Sequence, residues 1–134
     1  GDALGAALPI GLVEAAWGGT ALQVWAPPEA APTPPCGTAP PVQPACPGCG
    51  WPTQGSALWN AFVAPFAGTR ISGVVFYQGE SNALTGAVEA PWYACALAHT
   101  LGALRTLFRS PLAHIAIVQL HAWAHDAALF GYSV

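Results

Sequence analysis

The run Gly73-Val74-Val75-Phe76-Tyr77-Gln78-Gly79-Glu80-Ser81-Asn82 decides how this chain reads. Its first half is apolar and β-branched, which favours a strand. Its second half sets an amide, a carboxylate, a hydroxyl and a second amide around one glycine. A segment that polar, directly after Val75 and Phe76, does not belong in a core. The change of character marks the carboxyl end of a strand, where open parallel sheets carry their chemistry.

Two other runs share the apolar first half: Leu8 to Ala16 and His114 to Leu120. None alternates cleanly, and runs apolar on both faces suit buried parallel strands. Between the second and third runs, Trp92 to Phe108 predicts a helix with the stripe Leu97, Leu101, Leu104 and Phe108. Pro91 suits its first turn, and Ser110-Pro111 supplies the stop. A shorter helix is expected from Ser56 to Ala64, ahead of Pro65. Strand, loop and short helix, strand, helix, strand is a βαβαβ order, so the fold class is α/β around a parallel sheet.

Residues 27–55 interrupt this pattern with ten of the fourteen prolines and three of the four cysteines. Fixed φ angles and missing backbone donors exclude a regular helix or central strand there. An extended surface loop of polyproline character is expected. The 134 residues bound the chain to one domain or a piece of one. Hydrophobic residues make up 54% and charged residues 7%, against a usual charged share of about 25%. That composition excludes intrinsic disorder. With so few charges, much of the surface is expected to be covered by further parts of the protein. Methionine is absent, including at position 1, so a processed or partial chain is expected. A net charge of −3 with three arginines and no lysine excludes nucleic acid and polybasic membrane contact as partners. The apolar stretch from Pro111 to Trp123 is interrupted by His114, Gln119 and His121, short of the roughly 20 apolar residues of a membrane span.

Two loops meet the positional rule for chemistry: Trp17-Gly18-Gly19-Thr20 and Gln78-Gly79-Glu80-Ser81-Asn82. Successive glycines let the backbone turn sharply and aim N–H groups inward, and such donors hold a developing oxyanion. The plainer reading of the second loop is a strand-to-helix turn in which Ser81 or Asn82 caps the next helix. Gly79-Glu80-Ser81-Asn82-Ala83 also resembles a nucleophile elbow with Ala in place of the last Gly. Ser81 as nucleophile would need one of His99, His114, His121 or His125 as base. Cys46-Pro47-Gly48-Cys49 lacks the second pair of ligands a structural zinc site wants, and it sits among prolines rather than at a helix start. A disulfide or free thiols is preferred to metal or redox chemistry, and four cysteines leave three pairings open. His121 and His125 stand one helical turn apart without the Glu of a metalloprotease motif, and read as structural. Trp17 and Trp25 flank the Gly-Gly-Thr turn, where sugar stacking stands beside core packing as a role. Glu14 is a lone carboxylate in an apolar run, and no catalytic role is assigned to it.

Several segments together resemble the sialate O-acetylesterase family. They are Pro9-Ile10-Gly11-Leu12-Val13-Glu14, Trp17-Gly18-Gly19-Thr20, Leu58 to Phe66, Gly73 to Asn82, Trp92-Tyr93-Ala94-Cys95 and Ile117-Val118-Gln119-Leu120. They stand in the family's order and cover most of the chain outside the proline-rich loop; Tyr77 to Asn82 is the specific run. The resemblance implies an SGNH hydrolase with a three-layer α/β/α sandwich, of which residues 1–134 form the central part, with residues 27–55 as a loop insertion. It implies removal of O-acetyl groups from sialic acid or related carbohydrates through an acyl-serine intermediate, with no metal and no cofactor. Gly19, Gln78, Glu80 and Asn82 match the family's catalytic loops, and Gly18, Thr20 and Ser81 match positions beside the substrate. The family's early serine motif and late Asp-x-x-His motif are absent from this sequence, so the isolated chain is expected to be inactive. A non-catalytic carbohydrate-binding or interaction module derived from the same fold is the alternative. A disulfide, together with the resemblance, implies a secreted or lysosomal compartment.

Overall fold

The structure, a computed structural model, describes residues 9–30, 36–42, 50–83 and 90–121. Within them the order is helix α1 (Leu22–Trp25), a π-helical turn (Trp59–Val63) running into a 3₁₀ turn (Ala64–Phe66), strand β1 (Gly73–Phe76), helix α2 (Glu80–Ala83), helix α3 (Ala90–Leu107) and strand β2 (His114–Ile117). β1 and β2 pair in parallel, with Gly73 opposite His114 and Phe76 opposite Ile117. Two parallel strands linked through helices make the class α/β.

The expected first strand does not form. Residues 9–16 have no regular structure, and Leu12 is 92% exposed; Leu8 lies outside the described residues. Apolar sequence makes a strand only where a neighbour supplies the ladder. Pro9 has no N–H to give, and Gly11 weakens what remains. The described sheet therefore has two strands, not three.

The long helix turns the expected leucine stripe inward, with Leu104 buried and Leu97 packed on the core, but its most buried seam runs beside that stripe. Trp92, Ala96, Thr100 and Leu104 are the buried residues of α3, spaced by one turn each. The small Ala96 lets α1 approach closely, so Leu22, Trp92 and Ala96 form the core cluster with Phe76, Tyr93 and Leu97 packed against it. Thr100 settles its buried hydroxyl by donating to the Ala96 carbonyl at 2.8 Å. The shorter helix is present, with α-helical Ala57 and Leu58 passing into π and 3₁₀ turns; Pro65, inside the 3₁₀ turn, has no N–H with which to continue a regular ladder.

The described parts of the proline-rich segment hold no helix or strand, and Pro28, Gly37, Thr38 and Pro41 are exposed. Pro27 is fully buried and Ala30 nearly so. Cys36 is joined by a disulfide to Cys95 on α3, a separation of 59 residues. The cross-link ties this part of the segment to α3. Cys46, Cys49 and His125 lie outside the described residues.

Candidate active site

The site is built from the ends of three elements. Gly18 and Gly19 make a turn, and Gly19 takes a left-handed φ of 74°. There an added Cβ would run into the ring of Trp51. Only glycine suits both the backbone and the indole pressed on it. From this turn the chain enters α1, whose leading residue Ala21 has no side chain to cap it. The orphan N–H of Leu22 is instead satisfied from far away in sequence, donating to Asn82 Oδ1 at 2.8 Å.

The second loop leaves β1 at Tyr77. Gly79 has φ 130°, and a Cβ there would lie 2.9 Å from the Tyr93 hydroxyl oxygen and 3.2 Å from Leu120 Cδ1. Tyr93, on the first turns of α3, donates its hydroxyl to Gln78: Oε1 lies 2.9 Å away and the main-chain oxygen 3.1 Å away. Gln78 Nε2 in turn donates to the Thr20 carbonyl at 3.2 Å and to Asn82 Oδ1 at 3.3 Å. Asn82 Nδ2 donates to Gln23 Oε1 at 2.8 Å, and Gln23 Nε2 to the Pro40 carbonyl at 3.2 Å. Three carboxamides thus interlock the Gly-Gly-Thr turn, the Gln78–Asn82 loop and the proline-rich segment.

These partners sort the sequence candidates. Asn82 is buried and faces Gln23 and Leu22, inside the seam. Gln78, Thr20 and Ser81 are half-buried, while Gly18, Gly19 and Glu80 are exposed. The Glu80 carboxylate sits by two phenols. Its hydrogen bond to Tyr77 and its charge raise the Tyr77 hydroxyl above the usual 10.0; burial first, and the same charge second, raise Tyr93. Both phenols therefore stay protonated donors through neutral pH.

Thr20 Oγ1 donates to the Trp17 carbonyl at 2.7 Å and accepts from Trp25 Nε1 at 2.7 Å. Phe62 closes on the same turn: its ring centre lies 6.3 Å from that of Trp17, edge to face, and 6.2 Å from that of Trp25. A cavity of about 360 Å³ opens where both strands end, lined by Gln78, Gly79, Asn82, Tyr93, Val118 and Leu120 among others. Its place is the crevice beyond the carboxyl ends of parallel strands, and its size falls among small-ligand sites. A second cavity of about 430 Å³ lies between Gln23, Ser56 and Pro40. Cys36, Cys95 and His99 offer atoms within 4.8 Å of one another, but both sulfurs are spent on the disulfide.

The model of the family described as "Carbohydrate esterase, sialic acid-specific acetylesterase" matches residues 4–130. The chain belongs to this family. It is similar to sialate O-acetylesterases of Homo sapiens (40% identical over 76 residues, 55% of this chain and 14% of the relative) and Rattus norvegicus (31% over 129 residues, 76% and 23%). The Mus musculus protein of that name is 34% identical over 101 residues, 56% of this chain and 18% of the relative. The chain thus spans a seventh to under a quarter of the length of these curated relatives. No solved structure matches it. Among the described residues, no helix is long and apolar enough to cross a membrane.

Gln23, Trp51 and Tyr93 were missed as site residues. Each acts through a contact with a partner far along the chain, and no local motif announces such contacts.

Proposed function

We propose that this chain supplies the polar half of the active site of a carbohydrate O-acetylesterase. The substrate is an O-acetylated sialic acid or related sugar, and the reaction is hydrolysis of its carboxylic ester. One observation carries the reading: Gln78 Nε2 bonds the Thr20 carbonyl, so the two loops that match the family stand against each other. Acyl transfer to a serine builds negative charge on the former carbonyl oxygen, and donors about 3 Å from that oxygen stabilise it. The Gly18–Gly19 turn is suited to offer backbone N–H groups there. Gln78 is held in one orientation by Tyr93, and Glu80 is open to accept sugar hydroxyls. The nucleophilic serine and its histidine base come from segments other than these 134 residues, which form the central part of the hydrolase domain. Ser81 is then a neighbour of substrate, not the nucleophile. The Cys36–Cys95 disulfide supports a secreted or lysosomal compartment.

The test is hydrolysis of an O-acetylated sialic acid by the whole protein. Gly19→Ala, whose new methyl meets Trp51, and Gln78→Ala, which unties the two loops, are each expected to lower kcat by roughly 100-fold, the scale of misplacing a site by about 1 Å. The 134-residue chain alone is expected to show no turnover. Ordinary turnover by that chain, persisting in Ser81→Ala, would overturn the assignment of the serine elsewhere.

A further inference from the structure

We propose that Cys36, Cys95 and His99 form a zinc site in the reduced chain, where the ion takes over the tether that the disulfide provides in the oxidised one. The site has no part in ester hydrolysis and does not rest on that reading.

Among the described residues, this is the one place where three metal-ligating side chains converge. Both Sγ atoms and a ring nitrogen of His99 lie within 4.8 Å of one another. Cys95 and His99 stand one turn apart on α3, so the helix presents a thiol and an imidazole on one face. Cys36 reaches them from the proline-rich segment, joined to Cys95 by the disulfide. The imidazole is not engaged elsewhere: His99 is exposed, and it has no hydrogen bond or ion pair among the described residues.

The spacing suits zinc once the covalent bond is open. Bonds of about 2.3 Å to sulfur and about 2.0 Å to nitrogen put the ligand atoms of a tetrahedral ion roughly 3.5–3.8 Å apart. Rotation about the cysteine side-chain bonds is enough to reach that arrangement, because the Cα atoms of Cys36 and Cys95 are only 5.5 Å apart. Packing keeps Cys36 in place without the bond. Cys36 and Ala39 rest against the cluster of Leu22, Trp92 and Ala96, and the Pro40 carbonyl accepts from Gln23. Two thiolates and an imidazole favour zinc over calcium or magnesium. Water completes the four ligands on the exposed side.

A dithiol reductant opens the site. Two electrons pass to the disulfide, the Sγ–Sγ bond breaks, two protonated thiols form, and the dithiol closes to its own disulfide. Zn²⁺ then replaces the two thiol protons, which leave to solvent.

The experiment titrates the whole protein with Co²⁺, whose thiolate charge-transfer absorption reports ligation by sulfur, and then with Zn²⁺ in competition. A phosphine keeps the chain reduced. Every protein compared carries Cys46→Ser and Cys49→Ser, which removes the other two thiols of this chain from the readout. The reduced protein is expected to bind one ion that the oxidised protein does not. His99→Ala and Cys36→Ser are each expected to weaken that ion at least tenfold, and His99→Cys to retain it. One equivalent of Zn²⁺ is expected to raise the thermal midpoint of the reduced protein more than that of reduced His99→Ala. Equal affinity in the reduced protein and His99→Ala, equal uptake before and after reduction, or unfolding on reduction that Zn²⁺ does not prevent would each overturn the site.

Discussion

The main-chain N–H of Leu22 donates to the side-chain oxygen of Asn82 across 60 residues of sequence, at 2.8 Å and out of contact with water. This bond caps α1 from outside and fixes the height of the Gly-Gly-Thr turn against the loop that follows β1. It is therefore the mechanical joint of the site.

Removing that joint with Asn82→Ala leaves the Leu22 N–H and Gln23 Oε1 without their partner. Each buried unpaired group costs about 1–3 kcal/mol. Hydrogen exchange of the Leu22 amide in the whole protein is expected to speed up by roughly tenfold or more, while the middle of α3 keeps its protection. Asn82→Asp is expected to fall between wild type and Ala. The acceptor for Leu22 survives, and Gln23 can turn its amide to donate, at the loss of its bond to Pro40. Equal exchange in all three proteins would show that the joint carries no strain.

Gly79→Ala tests the contact with Tyr93. The left-handed φ alone costs about 1–3 kcal/mol, and the new methyl meets the phenol oxygen. Adding Tyr93→Phe removes that oxygen. The double variant is expected to be less destabilised than the sum of the singles by about 0.5 kcal/mol or more, measured by denaturant unfolding. Strict additivity would mean that the two residues do not touch.

The cross-link from Cys36 to Cys95 closes a loop of 59 residues. In the chain-entropy account such a loop contributes about 4 kcal/mol. Cys36→Ser with Cys95→Ser is expected to lower the thermal midpoint of the whole protein by several degrees, and to loosen the bond from Gln23 to Pro40. A midpoint insensitive to the double change would refute the tether.

The phenol of Tyr93 titrates above 10.0 in the folded chain because of burial and Glu80. For a group raised on folding, the associated stability is fully present below the unfolded value and is lost as pH rises through the folded one. Stability is thus expected to fall above pH 10. Ultraviolet titration should show Tyr77 and Tyr93 ionising late, and Glu80→Gln should move both downward, Tyr77 the more because Glu80 is its leading cause. No movement of either would place Glu80 away from the phenols.

The sequence made α3 and the two strands legible because their signals are local: leucine spacing, β-branched runs, Pro91 and Ser110-Pro111. It pointed to the inward side of α3 through Leu97 and Leu104, but not to Ala96 and Thr100, since leucines advertise burial more loudly than they do. It foresaw no helix at Leu22–Trp25, a single turn held by a cap 60 residues away. The run 8–16 looked like a strand because apolar composition does not reveal whether a neighbour is present to receive its hydrogen bonds. The two polar loops were recognisable as sequence, but Gln23, Trp51 and Tyr93 were not. Their importance lies in whom they touch. For the same reason, four cysteines left three pairings open until the structure joined Cys36 to Cys95.

The contact between Trp51 and Gly19 has a consequence for descent. Position 19 cannot acquire any larger residue while an indole occupies the adjoining space, and position 51 guards nothing that a sequence motif would flag. Drift at the two sites should therefore be correlated across homologues: a substituent at 19 is expected only in lineages where 51 has already shrunk.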